Sequence, residues 1–466
     1  MGRIVFVGGG IAGTCAAMML ANDGHQVTIL ERDPTPPPAP DVAWDEWDRR
    51  GVNQFKMLHF LLARFRQVAD AELPGLTDAM VQAGALRLNP LIGIPEDVTG
   101  GWRDGDDRYE TITARRPVAE SVIATMAAST PGVTIRRGTA VAGVLTGPGS
   151  DGIVHVTGVR TEDGEDVPAD LVVDAGGRRS SMPSWLRDAG SKGPDEMIED
   201  CGFVYYGRHF RSGDGSVPPA FGGLLQPYGS VSVLTLPADN GTWGVGVITS
   251  SKDAALRSLL EVECWEKVVG AFPLVAHWID AEPITDVKLM AKIEDRQRSY
   301  VVDGKPVATG VVALADAWAC TNPSLGRGIS MGIVHAAALR SLLREVPLDQ
   351  MNDLAMRWDE LTTETVQPHF VDTLAFDRHR LAEIEAAIEG RAYETDDEVW
   401  NLTNALASAI LKDPDLLRGF IEVASLLDTG PNVVSRPGVA ERAVALADPT
   451  PLPGPDRAEL LSLVGA

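Results

Sequence analysis

The stretch RIVFVGGGIAGTCAAMMLANDGHQVTILERD, Arg3 to Asp33, decides how the rest of the chain is read. Ile4–Val7 is a short apolar run of the kind that forms a buried parallel strand. Glycines follow at Gly8, Gly10 and Gly13, then an Ala/Met/Leu-rich helix to about Asn22, then a second apolar run, Val27–Leu30, ending at Glu31. Gly8 permits a tight turn, Gly10 lets a pyrophosphate approach the backbone, and Gly13, next to Ala12, lets helix and strand pack closely. The helix N-terminus adds unpaired N–H groups and a partial positive charge at the same point. Glu31 lies 18 residues after Gly13, near the ~20-residue spacing at which an acid takes ribose hydroxyls, and Arg32 follows it. Strand, turn, helix, strand and acid in register predict a dinucleotide cradle. A glycine-rich turn with no ligand is the bland alternative, and the stretch alone does not separate nicotinamide from flavin.

Charge and composition bound the rest. The 466 residues carry 65 acidic against 41 basic side chains, a formal charge of −24, which disfavours nucleic acid and anionic membranes as partners. A hydrophobic share of 44% is that of a globular protein, and the length allows two or three lobes with ample core. Cys15, Cys201, Cys264 and Cys320 are scattered, with no C-x-x-C and no His/Cys cluster. Neither a structural metal nor a disulfide framework is expected, and a reducing cytosol fits. A strand starting at Ile4 leaves no room for a signal peptide, and no run of about 18 apolar residues suggests a membrane span. The expectation is a soluble cytoplasmic protein.

Past Asp33, the proline-rich acidic stretch Asp33–Gly51 predicts an irregular surface loop. Phe55–Ala71 reads as a helix, with Phe55, Leu58, Leu62 and Phe65 at three- and four-residue steps, and Pro117–Ala128 as another. Between Val133 and Asp174 the pattern turns β, and from Phe203 to Ser250 it gives longer alternating strands. Such a sheet often walls a small-molecule pocket, and Tyr206, Arg208 and Trp243 on it are candidates for that pocket or for packing. A buried strand returns at Val311–Leu314, before a Gly-rich turn and a helical C-terminal third. A nicotinamide dehydrogenase usually keeps its Rossmann strands contiguous. Here they return near residues 170 and 311, as in a flavoprotein whose FAD domain is assembled from distant pieces.

Four further stretches carry a resemblance. RRGVNQFKMLHFLLARFRQVADAELPGL (Arg49–Leu76) is similar to a G-V-P-Q-x-R-H-x-H segment, and RRPVAESVIATMAASTPGVTIRRGTAVAGVL (Arg115–Leu145) to an R-P-L-L-E helix with its strand pair. ADLVVDAGGRRSSMPSWLRDAG (Ala169–Gly190) resembles D-L-V-V-D-A-x-G-R-x-S, and LADAWACTNPSLGRGISMG (Leu314–Gly332) resembles G-D-A-x-x-x-x-N-P-x-x-G-x-G. The tail from Arg436 fits the same pattern. Together they resemble the FAD-dependent monooxygenases of the p-hydroxybenzoate hydroxylase superfamily, closest to the branch of polyether epoxidases and, more distantly, styrene monooxygenase.

The resemblance implies a mixed α/β fold. Residues 1–75, 110–190 and 300–345 would form a discontinuous Rossmann-like FAD-binding domain. Residues 76–109 and 191–299 would form a β-sheet substrate-binding domain, and 346–466 a helical C-terminal region. Asp316 is then the acceptor of a ribityl hydroxyl, or else a cap for the next turn. Gly328 and Ile329 open a helix whose positive end faces the flavin, with Pro323 before it on the substrate side. Arg116, a cation at a helix start, calls for a phosphate or ribose partner, with Arg115 as its rival. Gln54 and Lys56 match the Gln and Arg of the first segment, and Val141 lies where the family places a strand residue against adenine. Two departures stand out. Ala315 replaces a glycine, a small change expected to keep close packing, and Gly176 replaces the aspartate of the A-D-G motif, which puts NAD(P)H binding in doubt.

The implied activity is transfer of one oxygen atom of O2 from a C4a-(hydro)peroxyflavin to a small organic substrate, by epoxidation or hydroxylation in secondary metabolism. The electron donor is NAD(P)H or reduced flavin from a partner reductase. No catalytic acid or base is required of the protein. Alternatives of the same fold are a flavin-dependent halogenase, for which Lys56 is the available lysine, and an isoprenoid double-bond reductase. A flavin-binding protein without catalysis is the remaining reading.

Overall fold

Strand Arg3–Val7, helix Ile11–Asn22 and strand Gln26–Glu31 form the predicted βαβ unit in a computed structural model. It describes residues 1–49, 51–52, 54–149, 152–448 and 450–466. Arg50 and Asn53 of the Arg49–Leu76 stretch and Pro449 of the tail lie outside the described residues. The five-stranded sheet runs Val311–Ala313, Leu171–Asp174, Arg3–Val7, Gln26–Glu31, Val133–Arg137, all parallel. Strands Arg3–Val7, Leu171–Asp174 and Val311–Ala313 read as near-continuous buried apolar runs, whereas the edge strand Val133–Arg137, VTIRR, is only partly buried. Helix Ile11–Asn22 is buried from Ile11 to Ala21 apart from Ala12. It packs against helices Arg116–Ser129 and Gly328–Glu345, an approach that small residues allow. A Cβ on Gly332 would lie 2.9 Å from that of Ala12.

A second, antiparallel sheet supplies the other wall of the molecule. Its order is Leu225–Tyr228, Val231–Pro237, Thr242–Ser250, Phe203–Arg211, Glu282–Pro283, with Lys288–Met290 also on Phe203–Arg211. One face buries Tyr206, Phe210, Trp243, Val245 and Val247 against helix Val262–Gly270 and the final helix Arg457–Leu463. The opposite face carries Gly207, Gly244 and Gly246, and Leu58 lies on them.

The expected helix Phe55–Ala71 is corrected: only Ala63–Glu72 is helical. The four apolar residues at helical spacing go to different places. Phe55 meets Trp47, Leu58 lies on the glycine face, and Phe65 enters the core around the parallel sheet. A helix would have sent all of them one way, so the segment before Ala63 unwinds to span the two sheets. The Gly-to-Ala departure at 315 also costs more than size. Ala315 adopts φ +52°, a left-handed conformation that any Cβ disfavours.

The C-terminal third is helical, as expected, and wraps back over the first two lobes. Helix Pro414–Ala424 is pinned by Arg418, whose guanidinium bonds both carboxylate oxygens of Asp106 at 2.9 and 2.7 Å. Among the described residues no helix is long and apolar enough to cross a membrane, and no group of His, Cys, Asp or Glu could hold a metal ion.

Candidate active site

A cavity of about 1910 Å³ runs from the glycine turn, between the two sheets, to the C-terminal helices. Single small-molecule pockets measure ~300–1,000 Å³, so this one has room for a dinucleotide and a further ligand. At its first end the three glycines do different work. Gly8 has φ +103°, and a Cβ there would lie 2.6 Å from the Ala175 carbonyl oxygen. A Cβ on Gly13 would lie 2.7 Å from that of Ala175. At Gly10, a Cβ would meet no atom of the described residues within 4 Å. Nothing in the packing calls for a glycine there, whereas a pyrophosphate against the backbone does. Gly328, at the start of the second helix, is open in the same way. Two helix N-termini therefore present bare backbone to one cavity.

The charges follow suit. In a chain of net charge −24, the cradle wall collects Arg32, Arg49, Arg116, Arg178 and Arg179. Arg49 Nη1 bonds Glu120 at 2.7 Å, Arg49 Nη2 bonds Glu31 Oε2 at 2.7 Å, and Arg116 Nε bonds the other Glu120 oxygen at 2.7 Å. Burial disfavours the Glu120 charge, but Arg116 and Arg49 outweigh it and hold the carboxyl below its usual range. Asp316 also faces the cavity. Burial pushes its carboxyl up, against the pull of Arg116 and Arg178, and no hydrogen bond to its side chain is found among the described residues. A ligand hydroxyl would satisfy it.

Most sequence-selected positions share this cavity. Gly8, Gly10, Ala12, Gly13, Glu31, Arg32, Gln54, Arg116, Val141, Asp316, Pro323, Gly328 and Ile329 all line it. Arg115, the rival of Arg116, is instead bound to Asp239 through Nη2 at 2.6 Å. Glu31 is already partly occupied: Oε2 accepts from the Gly9 N–H and Arg49, and Oε1 from the Asp33 N–H, which leaves acceptor capacity at Oε1.

The substrate-side residues need a larger correction. Tyr206, Arg208 and Trp243 do not line the cavity, since strand alternation turns them to the far side of the sheet. Trp243 donates to the Trp278 carbonyl, and Arg208 to the Thr285 carbonyl and Glu266. Lys56 lies off the wall too, 3.0 Å from Asp48.

Several wall residues were missed. His59 is held at Nδ1 by the Met57 carbonyl, 3.0 Å away, and burial with Arg116 lowers it to about 4, so it is neutral near pH 7. Its place in QFKMLHF was a signal that could have been read. Arg49 and Arg178 stood inside quoted motifs. The helical wall formed by Phe376, Trp400, Leu406 and Phe420 had no local signal.

Comparison with known proteins gives matches of the same kind. A family model for an NAD(P)-binding Rossmann-like domain matches residues 7–37. Protein Rv3254 of Mycobacterium tuberculosis is 28% identical over 465 residues, spanning 95% of this chain and 93% of that one. PqsL of Pseudomonas aeruginosa, a probable FAD-dependent monooxygenase, superposes with TM-score 0.59 at 17% identity, over 82% of this chain and 99% of that chain. A flavoprotein/dehydrogenase from Cytophaga hutchinsonii gives TM-score 0.61 at 16% identity, over 100% and 98%. The chain has the flavin-monooxygenase fold. The discontinuous assembly of its parallel sheet, with the antiparallel sheet facing it across the cavity, is what that fold consists of here.

Proposed function

We propose that this protein is an FAD-dependent monooxygenase acting on a largely apolar organic molecule. The observation that carries the reading is the pair of open glycines, Gly10 and Gly328, on one cavity with the carboxyl of Asp316. In this reading FAD, when bound, supplies the electron and oxygen chemistry, and the protein supplies position and dryness. The N–H groups at Gly10–Gly13 and the surrounding arginines hold the pyrophosphate, and Asp316 takes a ribityl hydroxyl. The start of helix Gly328–Glu345 favours negative charge on the ring system. Glu31 would act at the ribose end of the cofactor partly by fixing Arg49 and the Gly9 N–H. The discontinuous segments proposed from sequence hold the cofactor, with Arg49, Arg178 and His59 added to them.

The far arm of the cavity is walled by Leu224, Leu234, Leu236, Met290, Phe376 and Phe420, which suits epoxidation or hydroxylation of an apolar skeleton. The halogenase reading loses its lysine, because Lys56 is turned away to Asp48.

The electron donor is proposed to be reduced flavin from a partner reductase. At Gly176 a Cβ would lie 3.1 Å from Asp174 Oδ1, so an aspartate there would press against another carboxylate. Anaerobic titration of the purified protein, followed by its visible spectrum, tests both statements. The expected result is a bound flavin that NAD(P)H bleaches slowly and that an added reductase bleaches fast. Failure to bind FAD sinks the whole reading, while fast bleaching by nicotinamide alone at on the order of tens of micromolar sinks the two-component part.

A further inference from the structure

Behind the turn that precedes helix Gly328–Glu345 lies a polar cluster without a role so far. Asp377 sits on helix Gln367–Ile388 and is 3% exposed, and Asn322, beside Pro323, is 1% exposed. The Ser324 hydroxyl donates to Asp377 Oδ1 at 2.5 Å. The Tyr205 hydroxyl donates to Asn322 Oδ1 at 2.7 Å, and the Asn322 backbone N–H to Asp295 Oδ1 at 2.6 Å. Asp377 Oδ2 and Asn322 Nδ2 meet no partner in good hydrogen-bond geometry among the described residues, although the Asn322 amide lies close enough to pull the Asp377 carboxyl down. A buried carboxylate with so little hydrogen bonding on one oxygen is costly, whereas a carboxylic acid is tolerated there. Ser324 lines the cavity and Asp377 does not, so Ser324 joins the buried acid to the cavity wall.

We propose that Asp377 holds a proton behind the cavity wall and passes it to the cavity through the hydroxyl of Ser324. Its surroundings set the direction. Burial pushes the Asp377 carboxyl up to about 8, the neighbouring Asp295 adds to this, and Ser324, Asn322 and Arg327 oppose it. Asp295, on strand Glu294–Ser299, is itself raised to about 6, chiefly by burial. Tyr205 on strand Phe203–Arg211 and Cys201 just before it also face Asp377, and both are pushed up by burial, so neither carries charge near neutrality.

The use of such a proton follows from the balance of oxygen transfer, and in this one respect the inference rests on the oxygenase reading. One atom of O2 enters the substrate and the other leaves as water, consuming two electrons and two protons. A hydride equivalent from a nicotinamide or a reduced flavin brings both electrons and one proton. The second proton has to reach the departing oxygen inside a dry cavity. In the relay, the Ser324 hydroxyl turns from Asp377 toward the cavity and gives its proton to that oxygen, while the Asp377 O–H bond breaks and its proton joins Ser324 Oγ. Asp377 is left as a carboxylate and reloads along the same path when water reaches the cavity.

The test uses infrared difference spectra of the full-length protein and needs no turnover. Near neutral pH the wild-type minus Asp377→Asn spectrum should show the C=O stretch of a protonated carboxylic acid, and Asp295→Asn should keep that band. In D2O the band's shift to the deuterated form should slow roughly ten-fold or more in Ser324→Ala and stay fast in Ser324→Thr. Stability gives a second readout. A raised folded pKa adds stability that is complete below the unfolded value and lost as pH climbs to the folded one. Wild type should therefore lose thermal stability relative to Asp377→Asn between about pH 4 and about pH 8. Absence of the band, or exchange indifferent to Ser324→Ala, overturns the proposal even in a protein that oxygenates. A protein that shows both effects but binds no flavin overturns the oxygenase reading alone.

Discussion

Two sets of three glycines face this cavity's surroundings, and they are kept for opposite reasons. Gly8, Gly10 and Gly13 lie within six residues of one another, and the middle one opens onto space in which no described atom lies within 4 Å of a Cβ. Gly207, Gly244 and Gly246 come from two paired strands, and there the space is taken by the protein itself. Cβ atoms on them would lie 2.4, 2.7 and 3.3 Å from Leu58. In the first set Gly8 and Gly13 make room for Ala175, and Gly10 alone is left open. The second leaves room for a side chain, and by seating Leu58 it fixes the path of the segment that carries His59. A glycine's purpose is thus read from what fills the gap it leaves.

The largest test of this contrast is Gly10→Val. The side chain would stand in the open cradle, so the flavin-free protein should unfold at the wild-type temperature while FAD affinity falls by roughly a hundred-fold or more. Flavin fluorescence titration beside a thermal melt reads both. Wild-type affinity in this variant would show that the cradle takes no pyrophosphate at that point.

The same contrast explains what could be read from sequence. The βαβ cradle depends on contacts within about thirty residues, so strand, turn, helix and Glu31 all show in the local pattern. Asp316, Gly328 and Arg116 were reached through motif resemblance and do face the cavity. On the substrate side Pro323 faces the cavity, but the choice between pocket and packing for the sheet residues stays open in sequence, because alternation names two faces without saying which one meets the cavity. Tyr206, Arg208 and Trp243 were chosen for their chemistry, yet the glycines between them, Gly207 and Gly244, marked the inner face. The apolar spacing of Phe55 to Phe65 misleads in a similar way, since Phe55, Leu58, Leu62 and Phe65 go to four different apolar clusters rather than one. The wall from helices Gln367–Ile388 and Glu398–Ala409 depends on long-range folding and left no short-range trace.

Trp243→Ala carries the next largest effect. Trp243 is 2% exposed, stacks near Phe210 and donates to the Trp278 carbonyl. Truncation should cost about 3–5 kcal/mol of stability with FAD affinity unchanged in the folded fraction, as measured by denaturant unfolding and flavin titration. A selective loss of substrate binding at normal stability would return Trp243 to the pocket. Gly244→Val should follow at about 1–3 kcal/mol, the usual cost of overpacking, because its Cβ would lie 2.7 Å from Leu58. Here the flavin-free melt should fall, the reverse of Gly10→Val. If Leu58→Ala restores the melt of Gly244→Val, the glycine face is a seat for that side chain alone.

Ala315→Gly should give the smallest effect, and it tests a position between the two sets. Ala315 holds φ +52°, a conformation costing a side chain about 1–2 kcal/mol, at the end of the strand that presents Asp316. Its N–H donates to Nδ1 of His335 at 3.0 Å, and a Cβ on Gly332 would lie 3.4 Å from its own Cβ. Glycine would relieve the strain and keep the hydrogen bond, but it would widen the unfolded ensemble by about 0.4–1 kcal/mol. The two nearly offset, leaving an expected gain of roughly 0.5 kcal/mol, a small upward shift of the melt, with Asp316 undisturbed and FAD affinity preserved. A loss of more than about 1 kcal/mol would mean that the Ala315 methyl packs as Leu58 does. The residue would then belong with the glycines that are filled by protein rather than with those left open for a ligand.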